Sequence, residues 1–301
     1  MYDIIIIGGG PAGLGAAIYA LRNGKRVLLI EKETIGGQIA SSPRVENYPA
    51  LSSLSGADLA NRLFEQVLAL GIEFELDEVV AIEKAEIFKV KCKFNDYEAQ
   101  AVIVATGAEH KKIGLEDEER WVGRGLSYCA VCDGPFYADQ EVCLIGDANS
   151  ALQSALLLAN ICKKVHLCLL FDRFFAEEVL VEKVLASPNI TITKEILLNK
   201  LVGEEELEKA VFRNTKTSEL VEFKVAAVFV CIGQVPVNEP FTNLLTLNQD
   251  GYVVADESCL TEVAGLFVAG DCRNKKTRQL TTALADGTSA ALAAVNYLNN
   301  L

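Results

Sequence analysis

Asp3-Ile4-Ile5-Ile6-Ile7-Gly8-Gly9-Gly10-Pro11-Ala12-Gly13 is an unbroken apolar run that passes directly into a glycine-rich turn. A run apolar at nearly every position suits a parallel strand buried on both faces, and Ala12 to Arg22 reads as the helix that follows it. Arg26 to Ile30 reads as a second strand ending at Glu31, 23 residues after Gly8. A dinucleotide fold places there the carboxylate that binds a ribose hydroxyl. Glycines at 8, 10 and 13 let backbone approach a pyrophosphate, whose charge meets the positive end of the helix dipole.

The same pattern returns further along the chain. Glu141 to Ile145 reads as a strand, Gly146-Asp147-Ala148-Asn149-Ser150-Ala151 as a turn, and a helix runs on to about Asn160. Lys164 to Phe171 supplies the next strand, and Phe229 to Gly233 ends another before Pro236. Val102 to Gly107 and Gly265 to Asp271 are two further strands ending in tight turns, and they suit the ligand of the first motif. The expected class is α/β, with two Rossmann-like three-layer domains, the second inserted into the first. The expected boundaries are 1–112 plus 243–301 for the first domain and 113–242 for the insert.

A chain of 301 residues fits two domains of about 150 residues each. Hydrophobic residues at 50% and charged residues at 23% allow each domain a sizeable core. A formal charge of -13 disfavours nucleic acid and anionic membrane as partners, because polyanions are repelled. No basic leader or apolar run of about 18 residues is present, so a cytosolic protein is expected.

Most of the nine cysteines, among them Cys92, Cys143, Cys162, Cys168 and Cys231, stand singly in apolar surroundings as reduced core residues. Cys129 and Cys132 differ, being a Cys-x-x-Cys pair that permits a small-ring disulfide and lowers the pKa of one thiol. Structural zinc would need about two more ligands at similar spacing, which His110 and His166 do not supply. Asp133 follows directly and suits proton transfer in thiol-disulfide exchange if burial raises its pKa; the other reading is a turn aspartate before Gly134.

Cys129-Ala130-Val131-Cys132-Asp133-Gly134, together with the N-terminal glycine motif, Ala105-Thr106-Gly107 and Gly270-Asp271, resembles the bacterial thioredoxin reductases over nearly the whole chain. The resemblance implies FAD, a homodimer, and electrons passing from flavin to the disulfide and on to thioredoxin, with the inserted domain rotating to expose the dithiol. Gly36-Gly37-Gln38, Val45-Glu46-Asn47-Tyr48-Pro49 and Arg278-Gln279 lie along the cofactor in that family. The implied FAD set is Gly8, Gly10, Pro11, Ala12, Gly13, Glu31, Lys32, Gly37, Gln38, Asn47, Val79, Ala105, Thr106, Gly107, Gly270, Asp271, Arg278, Gln279 and Leu280. The implied catalytic set is Cys129, Cys132 and Asp133, with the roles of the two cysteines open.

One part of that family's pattern is missing. NADPH is ordinarily held on the inserted domain by a second glycine-rich turn and a His-Arg-Arg followed by another arginine. Here Asp147 brings a negative charge to the turn, and counting 23 residues from Gly146 reaches Leu169, which cannot bind a ribose hydroxyl. Leu170, Phe171 and Phe175 stand where the arginines would, and Arg173 is out of register.

The pattern is similar to the ferredoxin-dependent flavin thioredoxin reductases, so ferredoxin rather than NADPH is the expected donor. Arg273, Lys275, Lys276 and Arg278 form the basic run expected to receive it, or else a solvated loop in which Arg278 serves the cofactor. Asp172 as an NADH ribose acid, Gly233-Gln234-Val235-Pro236 as an NADPH remnant, an FAD-dependent dithiol oxidase and a non-catalytic flavoprotein redox sensor are the alternatives.

Overall fold

A computed structural model describes residues 1–42 and 45–301. The chain divides into two compact units, Met1–Glu109 with Val235–Leu301, and His110–Gln234. The boundaries fall three and eight residues before those expected from sequence. Residues after 234 leave the insert early because Asn238 donates to the carbonyls of Gly251 and Cys272, and Phe241 enters the first unit's core.

In unit 1, strand β1 (Tyr2–Ile7), helix α1 (Pro11–Arg22) and strand β2 (Val27–Glu31) form the expected βαβ element. Helix α2 (Gly56–Ala69) and strands β3 (Glu73–Leu76), β4 (Val79–Lys84), β5 (Phe88–Cys92) and β6 (Asp96–Val104) follow. The sheet runs β3-β2-β1-β6-β5-β4, with the strand Leu266–Val268 also beside β6. One edge of β6 is shared, taking β5 antiparallel at Asp96 to Ala99 and Leu266–Val268 parallel at Val102 to Val104.

The isoleucines of β1 divide between two layers. Ile4 and Ile6 pack with α1, α2 and the long helix Leu280–Asn299, while Ile5 and Ile7 pack with Val79, Ile82, Phe88 and Val90 of the β4–β5 hairpin. Burial on both faces is why the run is apolar without alternation.

Unit 2 repeats this plan. Its five-stranded sheet is ordered Ile190–Thr193, Lys164–Cys168, Glu141–Ile145, Ala227–Val230, Leu126–Ser127, all parallel. The helix Asn149–Ala159 connects the Glu141–Ile145 and Lys164–Cys168 strands. A three-stranded antiparallel sheet, Ile196–Val202, Lys209–Asn214 and Leu220–Lys224, contributes to a core with Cys143, Cys168 and Val228 on the other face.

The strand expected to reach Phe171 ends at Cys168, because Leu169 is the last residue whose N–H finds a partner on the neighbouring strand. Among the described residues no helix is long and apolar enough to cross a membrane.

Candidate functional site

In unit 1 the end of β1 and the start of α1 form a cradle. Gly8 has φ +109°, and a Cβ there would lie 2.3 Å from the Ala105 carbonyl oxygen, so only glycine lets this turn meet the turn after β6. At Gly13 a Cβ would lie 1.8 Å from the Gly8 oxygen, which fixes α1 hard against the turn. Pro11 occupies the first helical turn, where a missing N–H costs nothing. Ala12 lies in the same turn of α1 and is buried, and Gly10 leaves open space beside its Cα.

Glu31, 7% exposed at the end of β2, accepts the Gly9 N–H at 2.6 Å and the Glu33 N–H at 2.9 Å. Its carboxylate therefore lies next to the glycine turn, as the 23-residue spacing requires. Gly9 is absent from the sequence-derived set, although its N–H is the one that orients Glu31; its central place in the glycine triplet was the available signal.

Gly37 stands beside Gly10 at the start of the turn Gly37–Ser41 that also holds Gln38. Asn47 donates to the Gln279 side chain at 3.3 Å, joining two expected cofactor residues from opposite ends of the chain. Gln279 also caps the helix that begins at Leu280. Val79 is buried at the start of β4, and the Lys32 ammonium pairs with Glu109 at 2.8 Å.

Three polar atoms from the expected set, Thr106 Oγ1, Asp271 Oδ1 and Arg278 Nε, are buried without a hydrogen-bond partner. Gly107 turns the chain after Thr106 with φ +71°, and burial raises the pKa of Asp271. Buried orphan polar groups are costly, and these converge on the loops that the glycine turn faces. Their chemistry fits a ligand carrying hydroxyls and phosphates.

The basic run differs from expectation. Arg273, 3% exposed, makes two 2.8 Å bonds to Asp286, and Lys275 adds a third at 2.9 Å. The same carboxylate accepts the Gly270 N–H at 3.0 Å. Arg273 and Lys275 are thus consumed inside unit 1, leaving Lys276 exposed and the Arg278 guanidinium 4.1 Å over the Tyr252 ring. Sequence reasoning missed Asp286, whose signal was that it is the only charged residue in the helix Leu280–Asn299.

The second centre lies within unit 2. Cys129 and Cys132 form a disulfide with Cα atoms 5.2 Å apart at the mouth of the short helix Ala130–Asp133. The Cys132 N–H donates to Cys129 Sγ at 3.2 Å, an interaction that would stabilise a thiolate there. Ser127 Oγ donates to Asp133 Oδ2 at 2.6 Å and accepts the Cys129 N–H at 3.1 Å. Asp133 Oδ1 is buried without a partner, and burial raises the carboxyl pKa against the opposing pull of the Ser127 hydrogen bond.

The other seven cysteines are free thiols, five buried and two, Cys92 and Cys231, half-buried.

Unit 2 also repeats the strand register of the dinucleotide end. Ile145 lies opposite Cys168 as Ile7 lies opposite Ile30, so Leu169 occupies the place of Glu31. Leu169 is fully buried, whereas Phe171 and Phe175 are 50% and 48% exposed with their rings edge to face at 5.4 Å. Arg173 lies over the Phe175 ring, and Asp172 is exposed three residues past Leu169.

The Phe175 N–H donates to the Asp147 carbonyl at 2.8 Å, and Asn149 bonds the backbone and carboxylate of Glu177. This segment closes over the turn with apolar and acidic groups.

The pyridine nucleotide-disulphide oxidoreductase family profile matches residues 2–287. A thioredoxin reductase of Bacillus subtilis is 38% identical, covering 100% of this chain and 96% of that protein. The crystal structure of a thioredoxin reductase from Streptococcus pyogenes superposes with a TM-score of 0.96 at 33% identity, covering 100% of this chain and 99% of that one. A ferredoxin-flavin thioredoxin reductase from Clostridium acetobutylicum superposes with a TM-score of 0.54 at 30% identity, covering 100% and 99%.

Proposed function

We propose, for a chain that belongs to the pyridine nucleotide-disulphide oxidoreductase family and within it to the thioredoxin reductases, that electrons enter from reduced ferredoxin, pass through FAD to Cys129–Cys132, and leave to thioredoxin. The acceptor and cofactor rest on the family together with the disulfide and the cradle. The donor rests on one observation: Leu169 fills the place that Glu31 holds in unit 1. Relatives named simply thioredoxin reductase are more similar in sequence than the ferredoxin-flavin enzyme, so it is the unit 2 turn and not overall likeness that supports ferredoxin as donor.

Gly8, Gly10, Gly13, Glu31, Thr106, Asp271 and Arg278 would hold the cofactor, the orphan atoms of the last three finding partners in its hydroxyl and phosphate groups. Bound there, FAD would supply the chemistry that joins a one-electron donor to a two-electron dithiol. Once Cys129 and Cys132 are reduced, one thiolate attacks the thioredoxin disulfide, and the other then attacks the mixed disulfide to release dithiol thioredoxin. Asp133 in its acid form protonates the departing sulfur. A homodimer is the working unit implied by the family.

Anaerobic mixing of the oxidised flavoprotein with reduced ferredoxin is expected to bleach the flavin band, with thioredoxin restoring it, while NADPH and NADH leave it unchanged. Rapid bleaching by either nucleotide would sink the donor assignment. Rapid oxygen uptake with a small dithiol would point to an oxidase, and a flavin that cannot reduce the disulfide would point to a sensor.

Glu31→Leu, which gives unit 1 the residue of unit 2, is expected to weaken FAD retention by about tenfold to a hundredfold through loss of charge-assisted hydrogen bonds. Equilibrium dialysis of the flavin measures it.

A further inference from the structure

We infer that Ser127 is a positioning residue that places the transferable proton of Asp133 on Oδ1. The inference deepens the reading of Asp133 as the proton donor and rests on it. Ser127 is buried at the end of the strand Leu126–Ser127, and its hydroxyl has one proton to give. Two acceptors compete for it, Asp133 Oδ2 at 2.6 Å and the Cys129 carbonyl at 3.4 Å, and the shorter contact takes it.

One lone pair of Ser127 Oγ is already used by the Cys129 N–H, so the serine is tied to the backbone of the redox cysteine itself. With Oδ2 accepting, the proton of the neutral carboxyl sits on Oδ1, the oxygen with no partner in the protein. That oxygen is free to give its proton to a departing sulfur, after which the serine bond remains to hold the carboxylate charge.

The surroundings leave this bond little competition. Tyr137, on the adjoining turn Gly134–Tyr137, feels the Asp133 charge, and burial pushes its own phenol up to about 12, so it stays neutral. Glu206 also acts on Tyr137, and the sulfurs of Cys129 and Cys132 become titratable once reduced. Burial raises the Asp133 pKa, and the Ser127 bond is the one opposing influence.

The sign of the pH effect follows. Proton donation falls as pH rises through the elevated pKa of Asp133, and removing a donor to the carboxylate raises that pKa further.

The test uses the flavoprotein reduced with dithionite and freed of excess, mixed anaerobically with glutathione disulfide and, separately, with thioredoxin across a pH series. Ser127→Ala is expected to lower the plateau rate about tenfold through lost orientation and to move the falling limb about one pH unit upward. Ser127→Thr, which keeps the hydroxyl, restores both. On an Asp133→Asn background, Ser127→Ala changes neither.

A fixed limb in Ser127→Ala, or an equal fractional loss with and without the Asp133 carboxyl, overturns the inference, since a merely structural serine would behave so. Expected shifts with glutathione disulfide but no reaction with thioredoxin would defeat the functional reading and leave this one standing. A wild-type reaction with thioredoxin and an unmoved limb would do the reverse.

Discussion

Cys129→Ser or Cys132→Ser is expected to lower thioredoxin reduction by roughly four orders of magnitude, and the double variant to lose no more than either single one. Non-additivity follows from the chemistry: a dithiol delivers two electrons only as a pair, so removing one sulfur already removes the function of both. Flavin content and reduction of the flavin by its donor should survive, since both cysteines belong to unit 2 and the cradle residues all belong to unit 1. Steady-state thioredoxin assays beside stopped-flow flavin traces measure the two steps separately. A single variant that kept a tenth of the wild-type rate would mean that electrons bypass the disulfide.

Asp286→Ala should destabilise the protein by about 3–5 kcal/mol, the range for breaking a buried ion pair and leaving its partner uncompensated. Here Arg273 would be stranded, Lys275 would keep only Asp271 at 3.9 Å, and the Gly270 N–H would lose its acceptor. Burial alone would raise the Asp286 pKa, but Arg273 and Lys275 outweigh it and hold the carboxyl below its ordinary value. A depressed carboxyl contributes stability that is present above its unfolded-state pKa and is lost as pH falls through the folded one.

The variant should therefore show a lower urea midpoint near neutrality and a weaker loss of stability on acidification. It should also release flavin more readily, because Gly270 and Asp271 ride on the same loop. Glu65→Ala, which removes an exposed carboxylate from the helix α2, is the matched control and should leave all three readings unchanged.

The parts of this site that sequence reading reaches are those encoded by short spacing. The isoleucines of β1 announce a strand buried on both faces, and the interval from Gly8 to Glu31 carries over to Gly146 and Leu169 because both βαβ elements keep the same register. Cys129 and Cys132 are legible because their chemistry fits into four residues.

What sequence did not disclose depends on partners brought together by folding. Arg273 and Lys275 look like a solvated patch until Asp286 is placed beside them. Leu170 and Phe171 look like strand until the pairing partner runs out after Leu169. Ser127 is an unremarkable residue in the chain, and it acquires meaning only when the turn brings the Asp133 carboxylate to its hydroxyl.

The split of unit 1 between residues 1–109 and 235–301 fixes an order of events during synthesis. The unit that begins first is finished last, because the inserted unit is complete at residue 234 while its host still lacks the strand Leu266–Val268 and the helix Leu280–Asn299. Until those emerge, the Val102 to Val104 edge of β6 has no neighbour on that side, and the α1 face lacks its cover. An unpaired apolar edge is a template for other chains. A ribosome that stops before residue 266 therefore releases one finished unit joined to one open sheet, and early termination becomes a source of aggregates as well as a loss of enzyme.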